Sequence, residues 1–385
     1  MTLLESLPKN SIIHYWTRYL ANTEIPIGFQ LATGLSLIGS LLWRGVGFNQ
    51  ENWIVPPYLS ILLVGPSGCG KDTAINAMCE VVEEVMGEGY VSERIIQGKT
   101  MEYIFSRLAD LGNPAAAIVK APELTALLGG RDYQKSMVQD LTDLLSGNKT
   151  MDVSIKSERR FIHKPTVTLV AGSTVEWLQK NMPEGAIEGG FIPRLAVIVG
   201  ERSSTYVSLL RYLRDIKELI RYRESKQRFI AGLYGIIKLW PTTSFQYIPP
   251  NHEAALMYDN WYQNRFKMFS PRTQDYANRS RDMVLKVAML CAVSCHRGII
   301  LEEDILFGIR FCKFVADGID SAVIRETLES KISKEVLALL PLSTKEIITK
   351  LIHIYKKDDI LRAVALLHET ERMQLKDKVW TERIK

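Results

Sequence analysis

The sequence predicts an α/β fold in which a parallel sheet is flanked by helical regions. Between residues 58 and 199, short apolar runs typical of buried strands alternate with patterns of helical period. A glycine-rich turn joins the first of these runs, 58–64, to a helical pattern at 72–86. Strands that alternate with helices form parallel sheets, and such sheets bind ligands at the carboxyl ends of their strands.

Length and composition are those of a globular protein with several domains. The chain has 385 residues, enough for about two or three domains. It is 46% hydrophobic and 24% charged, which excludes collagen-like, coiled-coil and disordered classes. The net charge of +5 permits an anionic partner without requiring one, because nucleic-acid binding depends on basic residues clustered on one face. The predicted parts are a helical N-terminal region 1–57, a core 58–202, a helical bundle 203–330 and a C-terminal module 331–385.

Cysteines and apolar runs indicate a reduced protein that does not enter a membrane. The number of cysteines, five, is odd, and their spacing indicates no set of disulfides. Reduced thiols, as in the cytosol, are therefore expected. Cys291, Cys295 and His296 lie in an apolar stretch without a second ligand pair, which favours a core helix over a zinc site. The apolar run 29–43 is shorter than the roughly 20 residues of a membrane span and contains polar side chains, so it predicts a buried helix. The N-terminus lacks the pattern of a signal peptide, and we expect a cytoplasmic location.

The first 202 residues divide into a helical preface and an alternating core. Apolar residues at helical spacing predict helices at 12–20 and 26–42, and the preface closes with a loop at 52–57. Gly87 and Gly89 end the helix that follows the first strand. The later core elements are expected in this order: strand 94–97, helix 100–111, strand 115–120, a short helix ending at 129–130, helix 132–145, hairpin 150–163, strand 166–171, helix 175–180 and strand 195–199.

Residues beyond 203 predict helices and a small C-terminal module. The amphipathic patterns predict helices at 209–220, 254–268, 279–296 and 305–327. From residue 331 the patterns indicate a helix to 340, helices at 343–354 and 358–371, and an alternating ribbon at 373–384. Ser343 and Glu346 have the spacing of a capping box at the start of the second of these helices. Three helices and a ribbon predict a winged helix.

The turn after the first core strand has the pattern of a phosphate-binding loop. Gly65, Gly70 and Lys71 fit G-x-x-x-x-G-K-[ST], whereas Asp72 occupies the hydroxyl position and Thr73 follows it. Glycines let consecutive N–H groups point inward, the next helix adds its positive end, and the lysine supplies a charge for the outer phosphates. A chance glycine turn is the alternative. The expected nucleotide-binding residues are Gly65, Pro66, Ser67, Gly68, Cys69, Gly70, Lys71, Asp72 and Thr73.

We expect strand 115–120 to lie beside strand 58–64, which leads into the glycine-rich loop. Acidic residues that take part in hydrolysis should then follow the end of strand 115–120. Nucleotide hydrolysis uses one carboxylate to hold magnesium and another to position water. Glu123 is the candidate for positioning water, and a first-turn helix acid is the alternative. Pro122 stands where a metal-holding aspartate is usual, so we infer that Asp72, with Thr73, holds Mg²⁺. A competing interpretation is a site that binds nucleotide and hydrolyses it poorly.

Two further positions are candidates for catalysis. Ser173 and Thr174 end strand 166–171, so their hydroxyls are expected beside the terminal phosphate. Arg194 follows a glycine-rich turn and precedes the last core strand. From that edge it could reach the nucleotide of a neighbouring subunit and stabilise charge there. The alternative is a plain surface arginine.

These residues together resemble the AAA+ ATPases, and most closely the replicative helicases of phages and mobile elements, which are related to minichromosome-maintenance and superfamily 3 helicases. The resemblance is carried by the loop 65–73, Glu123, the hairpin, Ser173-Thr174 and the segment Gly190 to Arg194, followed by helices with Arg279 and Arg281. The preface segment Thr23-Glu24-Ile25-Pro26 adds to it. It covers roughly residues 10 to 300.

The resemblance implies a P-loop AAA+ core in a hexameric ring that uses ATP and Mg²⁺ in the cytoplasm of a bacterial host. Arg194 would act as an arginine finger, and Arg279 or Arg281 as a second sensor that contacts nucleotide. The hairpin would point into the pore and bind single- or double-stranded DNA through Lys156, Arg159 and Arg160 without reading sequence. A separate primase or replication initiator is an expected partner.

Other readings of the basic residues and of the loop stay open. Lys376 and Lys378 in the C-terminal ribbon could contact DNA, although winged helices also bind proteins. The basic run from Arg211 to Arg228 is interspersed with acids and fits a solvated helix face better. The alternatives to a helicase are a non-hydrolysing assembly factor, such as a helicase loader or DNA-binding scaffold, and a P-loop small-molecule kinase.

Overall fold

The chain forms two compact units, Met1–Val323 and Ile324–Lys385. The computed structural model describes residues 2–21, 23–50, 53–128, 134–147, 150–155, 158–182, 190–203, 207–208, 210, 215–270, 273–322, 332, 335–369, 373–376 and 379–382. The predicted winged helix lies in the smaller unit, and the predicted nucleotide-binding loop lies in the larger one.

The larger unit combines a parallel sheet with helices, as the alternating pattern predicts. Its strands are β1 Val46–Gln50, β2 Trp53–Val55, β3 Ile61–Val64, β4 Ile95–Gln97, β5 Ala116–Ala121, β6 Met151–Ile155, β7 Glu158–Ile162, β8 Thr166–Ser173, β9 Ala196–Val199 and β10 Gln246–Tyr247. Its helices are α1 Ile13–Leu20, α2 Ile27–Leu42, α3 Lys71–Met86, α4 Glu88–Arg94, α5 Met101–Asp110, α6 Leu124–Leu128, α7 Gln134–Ser146, α8 Val175–Asn181, α9 Ile216–Leu239, α10 His252–Asn264, α11 Gln274–Ser294 and α12 Glu302–Ala322. Short 3₁₀ turns lie at Leu4–Ser6, Ile192–Arg194 and Arg265–Met268.

The central sheet has five parallel strands in the order β4-β5-β8-β3-β9. The loop strand β3 pairs with β8 on one side, where Val64 is opposite Ser173, and with β9 on the other. The expectation that 115–120 adjoins the loop strand is therefore wrong, because β8 lies between β5 and β3. Crossover connections in a parallel sheet can skip a position, and no local sequence pattern records the skip.

Helix α2 forms the centre of the core next to the sheet. All of its residues after Ile27 are buried, which agrees with the prediction of a buried helix at 26–42. Two of its polar side chains make hydrogen bonds. The Ser36 hydroxyl donates to the Leu59 carbonyl oxygen at 2.8 Å, and the Gln30 side-chain amide donates to the Ile25 carbonyl oxygen at 2.7 Å. Because buried polar groups are costly without partners, these bonds let a partly polar helix lie inside the protein.

The preface is not purely helical. β1 and β2 form an antiparallel pair in which Phe48 is opposite Val55, and β10 joins β1 in parallel. The region beyond 203 is likewise not all helical, because β10 belongs to it. These strands have two to five residues each, too short for a clear alternating pattern.

The smaller unit has its own apolar core. Its described elements are α13 Thr344–Leu351, α14 Lys357–Glu369, β11 Met373–Lys376 and β12 Val379–Glu382. The two strands form an antiparallel ribbon, and the Trp380 indole packs into the core while donating to the Thr344 hydroxyl at 2.8 Å. The predicted capping box of Ser343 and Glu346 is confirmed. The winged-helix assignment stays a prediction.

A buried carboxylate at the start of α12 makes a stability prediction. The side chain of Asp304 is fully buried, accepts the Leu301 N–H at 2.8 Å and pairs with Arg297 at 2.9 Å. Asp304→Ala should lower the free energy of unfolding by about 3 kcal/mol, because it leaves the arginine and the backbone donor without this partner. Urea unfolding measures the loss. The control is Glu303→Ala, which removes the more exposed partner of the same arginine and should cost under about 1 kcal/mol. Equal losses of unfolding free energy in the two variants would contradict a stabilising role for the buried carboxylate of Asp304.

Candidate nucleotide-binding site

The glycine-rich loop connects the carboxyl end of β3 to the first turn of α3. Gly68 and Gly70 have φ angles of 78° and 85°, in the left-handed region that favours glycine. A side chain at Gly65 would collide with the Gly200 carbonyl oxygen and with the Cys69 sulfur. The loop is therefore fixed by glycines for two reasons, backbone conformation at Gly68 and Gly70 and close approach at Gly65.

Lys71 lies at the amino end of α3 with its ammonium group turned back over the loop. Nζ donates to the carbonyl oxygens of Gly65 and Pro66 at 2.7 and 2.9 Å. Arg202, which sequence reasoning did not single out, holds the loop from outside through its Nε and Nη2 atoms, 3.2 and 3.1 Å from the Ser67 carbonyl oxygen. No local motif marks Arg202, because it follows β9 and meets the loop only through the fold.

A cavity of about 840 Å³ opens over the loop. This volume lies within the range of about 300–1,000 Å³ that is usual for small-molecule sites. The cavity brings together residues from the preface, the loop, the ends of β5 and β8 and the segment after β9. Its lining residues are Thr23, Glu24, Ile25, Ser67, Gly68, Gly70, Lys71, Asp72, Thr73, Pro122, Glu123, Leu124, Thr125, Gly172, Ser173, Thr174, Trp177 and Val207.

Strand β8 joins the loop to the turn that carries Glu123. The Gly65 N–H donates to the Ser173 carbonyl oxygen at 3.1 Å, so the end of β8 is bonded directly to the loop. On the other side, a Cβ at Gly172 would collide with the Pro122 carbonyl oxygen and would lie 3.8 Å from the Lys71 Cβ. Gly172 therefore allows the Glu123 turn to approach the lysine across the intervening strand. The sequence feature that indicates this role is the glycine near the carboxyl end of a buried strand.

Ser173 and Thr174 differ in how their hydroxyls are used. The Thr174 hydroxyl accepts the Trp177 N–H at 3.2 Å and caps α8. Ser173 is buried, and its hydroxyl lies 3.4 Å from the Thr174 carbonyl oxygen. Both residues line the cavity, and the cap on α8 leaves Ser173 as the hydroxyl with more freedom to turn toward a ligand.

The preface forms one wall of the cavity. Ile25 packs on Gly70, with its Cγ1 atom 3.0 Å from the position that a Cβ would occupy. The Glu24 carboxylate accepts the Val207 N–H at 3.0 Å and ties the preface to the segment after β9. Residues 23–25 thus contribute to the site, in addition to the packing that α1 and α2 provide for the core.

The oxygen atoms at the cavity fit a hard cation. Asp72, Thr73, Glu123 and Ser173 line the same space, and carboxylate and hydroxyl oxygens are the ligand types that Mg²⁺ prefers. Among the described residues, no group of three or more His, Cys, Asp or Glu side chains forms a ready-made metal cluster. This agrees with the way Mg²⁺ is usually bound, through one or two carboxylates together with substrate phosphates.

Arg194 and Arg279 lie together at the opposite edge of the sheet. Arg194 ends the 3₁₀ turn before β9, whereas the glycine-rich loop follows β3, and β3 and β9 are parallel. Neither arginine lines the 840 Å³ cavity, and both line a smaller one of about 190 Å³. Arg281 pairs with Asp282 at 3.4 Å, away from the loop. The predicted contacts of these arginines with nucleotide are therefore not made by the cavity of the same chain.

The predicted DNA-contacting residues are distributed over two regions. β6 and β7 form the expected hairpin. Arg159 is exposed and pairs with Asp152 at 2.5 Å, while Arg160 pairs with Asp110 of α5 at 2.5 Å. Lys156 and Lys378 lie outside the described residues, and of Lys376 only the backbone, in β11, is described. Their role in DNA binding stays a prediction.

The glycine-rich loop, the lysine at the helix start and the five-stranded parallel sheet are consistent with a P-loop-like core. Part of the chain is similar to ABC transporter F family member 2 of Arabidopsis thaliana, with 25% identity over 150 residues that cover 36% of this chain and 22% of that protein. Part is also similar to P-glycoprotein 14 of Caenorhabditis elegans, with 22% identity over 183 residues that cover 41% of this chain and 14% of that protein. The chain thus spans under a quarter of the length of either relative. No family model matches the chain.

None of the helices in the described ranges is both long enough and apolar enough to cross a membrane.

Proposed function

We propose that this chain is an ATPase of the AAA+ type that works as a DNA helicase or translocase of a phage or mobile element. The position of Arg194 carries the proposal. It lies at the amino end of β9 and the glycine-rich loop lies at the carboxyl end of β3, so a phosphate that meets both must be shared between two copies of the chain. Arginine fingers supplied in trans stabilise the charge of phosphoryl transfer. We expect a ring, with six subunits as the resemblance implies, in the cytoplasm of a bacterial host.

Within one copy, the residues that line the cavity have different roles in ATP hydrolysis. The loop N–H groups and Lys71 bind the phosphates of ATP, and Glu123 orients the attacking water from the end of β5. Ser173 is at the end of β8, the strand between β5 and the loop strand β3, and lines the same cavity. Asp72 and Thr73 would hold Mg²⁺, which neutralises charge on the phosphates when it is bound.

DNA is proposed as the substrate on which the motor acts. The β6–β7 hairpin presents an exposed arginine, Arg159, which is 72% exposed and lies beside the Phe161 ring at 5.3 Å. A cation next to an aromatic ring suits a nucleic-acid strand, because it offers both phosphate attraction and a stacking surface. The C-terminal unit is proposed as a winged helix, and a separate primase or initiator as a partner.

ATP hydrolysis with and without single-stranded DNA tests the function, together with sizing in the presence of a non-hydrolysable ATP analogue. We expect DNA-stimulated turnover and assembly that depends on nucleotide. Assembly without any turnover would contradict the motor and support an assembly factor. Transfer of phosphate to a small acceptor would contradict both.

An assembly factor that hydrolyses ATP weakly is a second candidate, and one observation favours it. Pro122 occupies the turn after β5 that would otherwise carry a metal-holding carboxylate, and its carbonyl oxygen packs tightly against Gly172. The turn after β5 therefore supplies no carboxylate at position 122, and Asp72 in the first turn of α3 is a carboxylate that lines the same cavity.

Replacement of Asp72 tests whether it holds the metal. Asp72→Ala should weaken Mg²⁺-dependent nucleotide binding about 10-fold or more, since a ligating carboxylate is lost. Titration of a fluorescent ATP analogue with and without Mg²⁺ measures the effect. Glu83→Ala, which removes an exposed acid further along the same helix, serves as the control. If both variants retain the dependence on Mg²⁺, Asp72 is a helix-start acid and no metal ligand.

A further inference from the structure

The exposed tip of the glycine-rich loop, residues 66–68, is held less firmly by packing than the two ends of the loop. A Cβ at Gly65 would lie 2.3 Å from a carbonyl oxygen, and one at Gly70 would lie 3.0 Å from an isoleucine side chain. At Gly68, where φ is 78°, no atom lies within 4 Å of the position of a Cβ. Because glycine has more conformational freedom than any other residue, packing does not fix the peptide groups of the tip.

Arg202 restrains this tip from the segment that follows β9. Its Nε and Nη2 atoms donate to the Ser67 carbonyl oxygen at 3.2 and 3.1 Å. Within the described part of the chain, these are the hydrogen bonds that side chains make to the backbone of Ser67 and Gly68. The orientation of the tip therefore depends on one exposed arginine that is distant in sequence.

The pairing of β9 with β3 brings Arg202 to the loop. The Gly200 N–H donates to the Val64 carbonyl oxygen at 2.8 Å, so the segment after β9 continues beside the end of the loop strand. A Cβ on Gly200 would lie 2.7 Å from Phe29 Cζ of α2, so this segment also packs closely on the core. Arg202 is thus anchored two residues before its own position.

The contact with Arg202 sets the direction of the peptide group between Ser67 and Gly68. This bond is trans, because the cis bonds of the described residues precede Pro114 and Pro341. In a planar trans peptide the carbonyl oxygen and the N–H point in opposite directions. Ser67 and Gly68 line the cavity of about 840 Å³ and Arg202 does not. A carbonyl oxygen held by Arg202 therefore leaves the Gly68 N–H turned toward the cavity.

We propose that Arg202 is a positioning residue for nucleotide binding, which holds the Ser67 carbonyl oxygen so that the Gly68 N–H faces the phosphates. This role rests on the proposed function, which places the phosphates of ATP at the loop. Inward N–H groups attract an anion while their peptide groups stay oriented, and a donor that is ordered before binding costs less to order on binding. Arg202 thus raises affinity without touching the nucleotide.

Nucleotide binding by an Arg202→Ala chain tests this role. We expect ATP affinity to fall about 10-fold, equivalent to the loss of one charge-assisted hydrogen bond. Turnover at saturating ATP should stay within about 2-fold, because the residue acts on binding and not on the chemical step. The unfolding midpoint should be unchanged, since Arg202 is exposed. Titration of a fluorescent ATP analogue, steady-state kinetics and thermal unfolding measure the three quantities.

Two further variants separate orientation from charge. Arg107→Ala is the matched control, because Arg107 of α5 also donates to two backbone carbonyl oxygens, those of Ser92 and Glu93, and its loss should leave ATP affinity unchanged. Arg202→Lys keeps a charged donor without the fork of two N–H groups, so it should recover part of the affinity. Full recovery would show that position 202 supplies charge alone, and would contradict the proposal. Unchanged affinity in Arg202→Ala would also overturn it.

A double-mutant cycle tests whether Arg202 acts through the tip. Gly68→Ala strains the left-handed backbone of the tip and should lower ATP affinity by itself. In the Gly68→Ala background, Arg202→Ala should weaken binding by less than about 3-fold, since residues that act on the same group are not additive. A loss of about 10-fold in both backgrounds would show that Arg202 acts independently of Gly68, and would overturn the role.

Binding and turnover together distinguish failure of this role from failure of the proposed function. Absence of ATP hydrolysis, with ATP binding that depends on Arg202, contradicts the motor and supports the role of Arg202. Hydrolysis by the unaltered chain, with unchanged binding by Arg202→Ala, supports the proposed function and overturns the role. An unaltered chain that does not bind the ATP analogue overturns both.

Discussion

Replacement of Arg194 by alanine is expected to lower ATP turnover by about 10³–10⁵-fold and to leave nucleotide binding by the same chain nearly unchanged. The guanidinium group lies beside Ser146 and Gly190, at the sheet edge opposite the glycine-rich loop. It therefore cannot support the phosphates bound by its own chain, and its loss should affect chemistry and spare binding. Steady-state turnover and titration with an ATP analogue measure the two quantities separately.

Mixing provides the decisive control for Arg194. Arg194→Ala subunits retain Glu123, and Glu123→Gln subunits retain Arg194, so a mixed ring contains some sites in which both groups are intact. We expect turnover in the mixture to exceed that of either variant alone. Arg107→Ala, at an arginine of α5 that donates to the Ser92 carbonyl oxygen, should leave turnover unchanged. Absence of recovery at every mixing ratio would show that Arg194 does not act across a subunit boundary.

The local parts of this site were predictable from sequence, because they are encoded by adjacent residues. The loop is specified by glycines at fixed spacing and by Lys71 at the start of α3, and the structure places them as the motif predicts. The capping box of Ser343 and Glu346 is equally local. Each of these features depends on backbone conformations and hydrogen bonds within a few residues, which a single sequence records.

The non-local parts of the site were not predictable in the same way. The insertion of β8 between β5 and β3 depends on which edge of the sheet a crossover reaches. The approach of Arg279 to Arg194, and of Ile25 to Gly70, depends on how separate helices pack on the sheet. These contacts follow from the packing of buried elements such as α2, and a sequence pattern shows that residues are buried without showing what covers them.

Replacement of Glu123 by glutamine is expected to lower ATP turnover by about 10²–10⁴-fold, the usual contribution of a general base, while ATP still binds. Glu123 is exposed in the cavity and reaches it from the far side of β8, where Gly172 lets the turn at Pro122 close against the strand. Glutamine keeps the shape of the side chain and its bond to the Thr125 hydroxyl, and removes the charge that would accept a proton from water. Single-turnover hydrolysis measures the change.

The outcome for Glu123→Gln also chooses between the two candidate functions. In a motor, the variant should accumulate with ATP bound and remain assembled, since assembly needs nucleotide and disassembly needs hydrolysis. Glu176→Gln, at an exposed first-turn acid of α8, is the matched control and should turn over normally. If Glu123→Gln and the unaltered chain hydrolyse ATP at the same rate, then Glu123 is a helix-start acid stabilised by the dipole of α6. Together with a proline rather than an acid at position 122, this result would mean that the loop binds ATP as a signal for assembly.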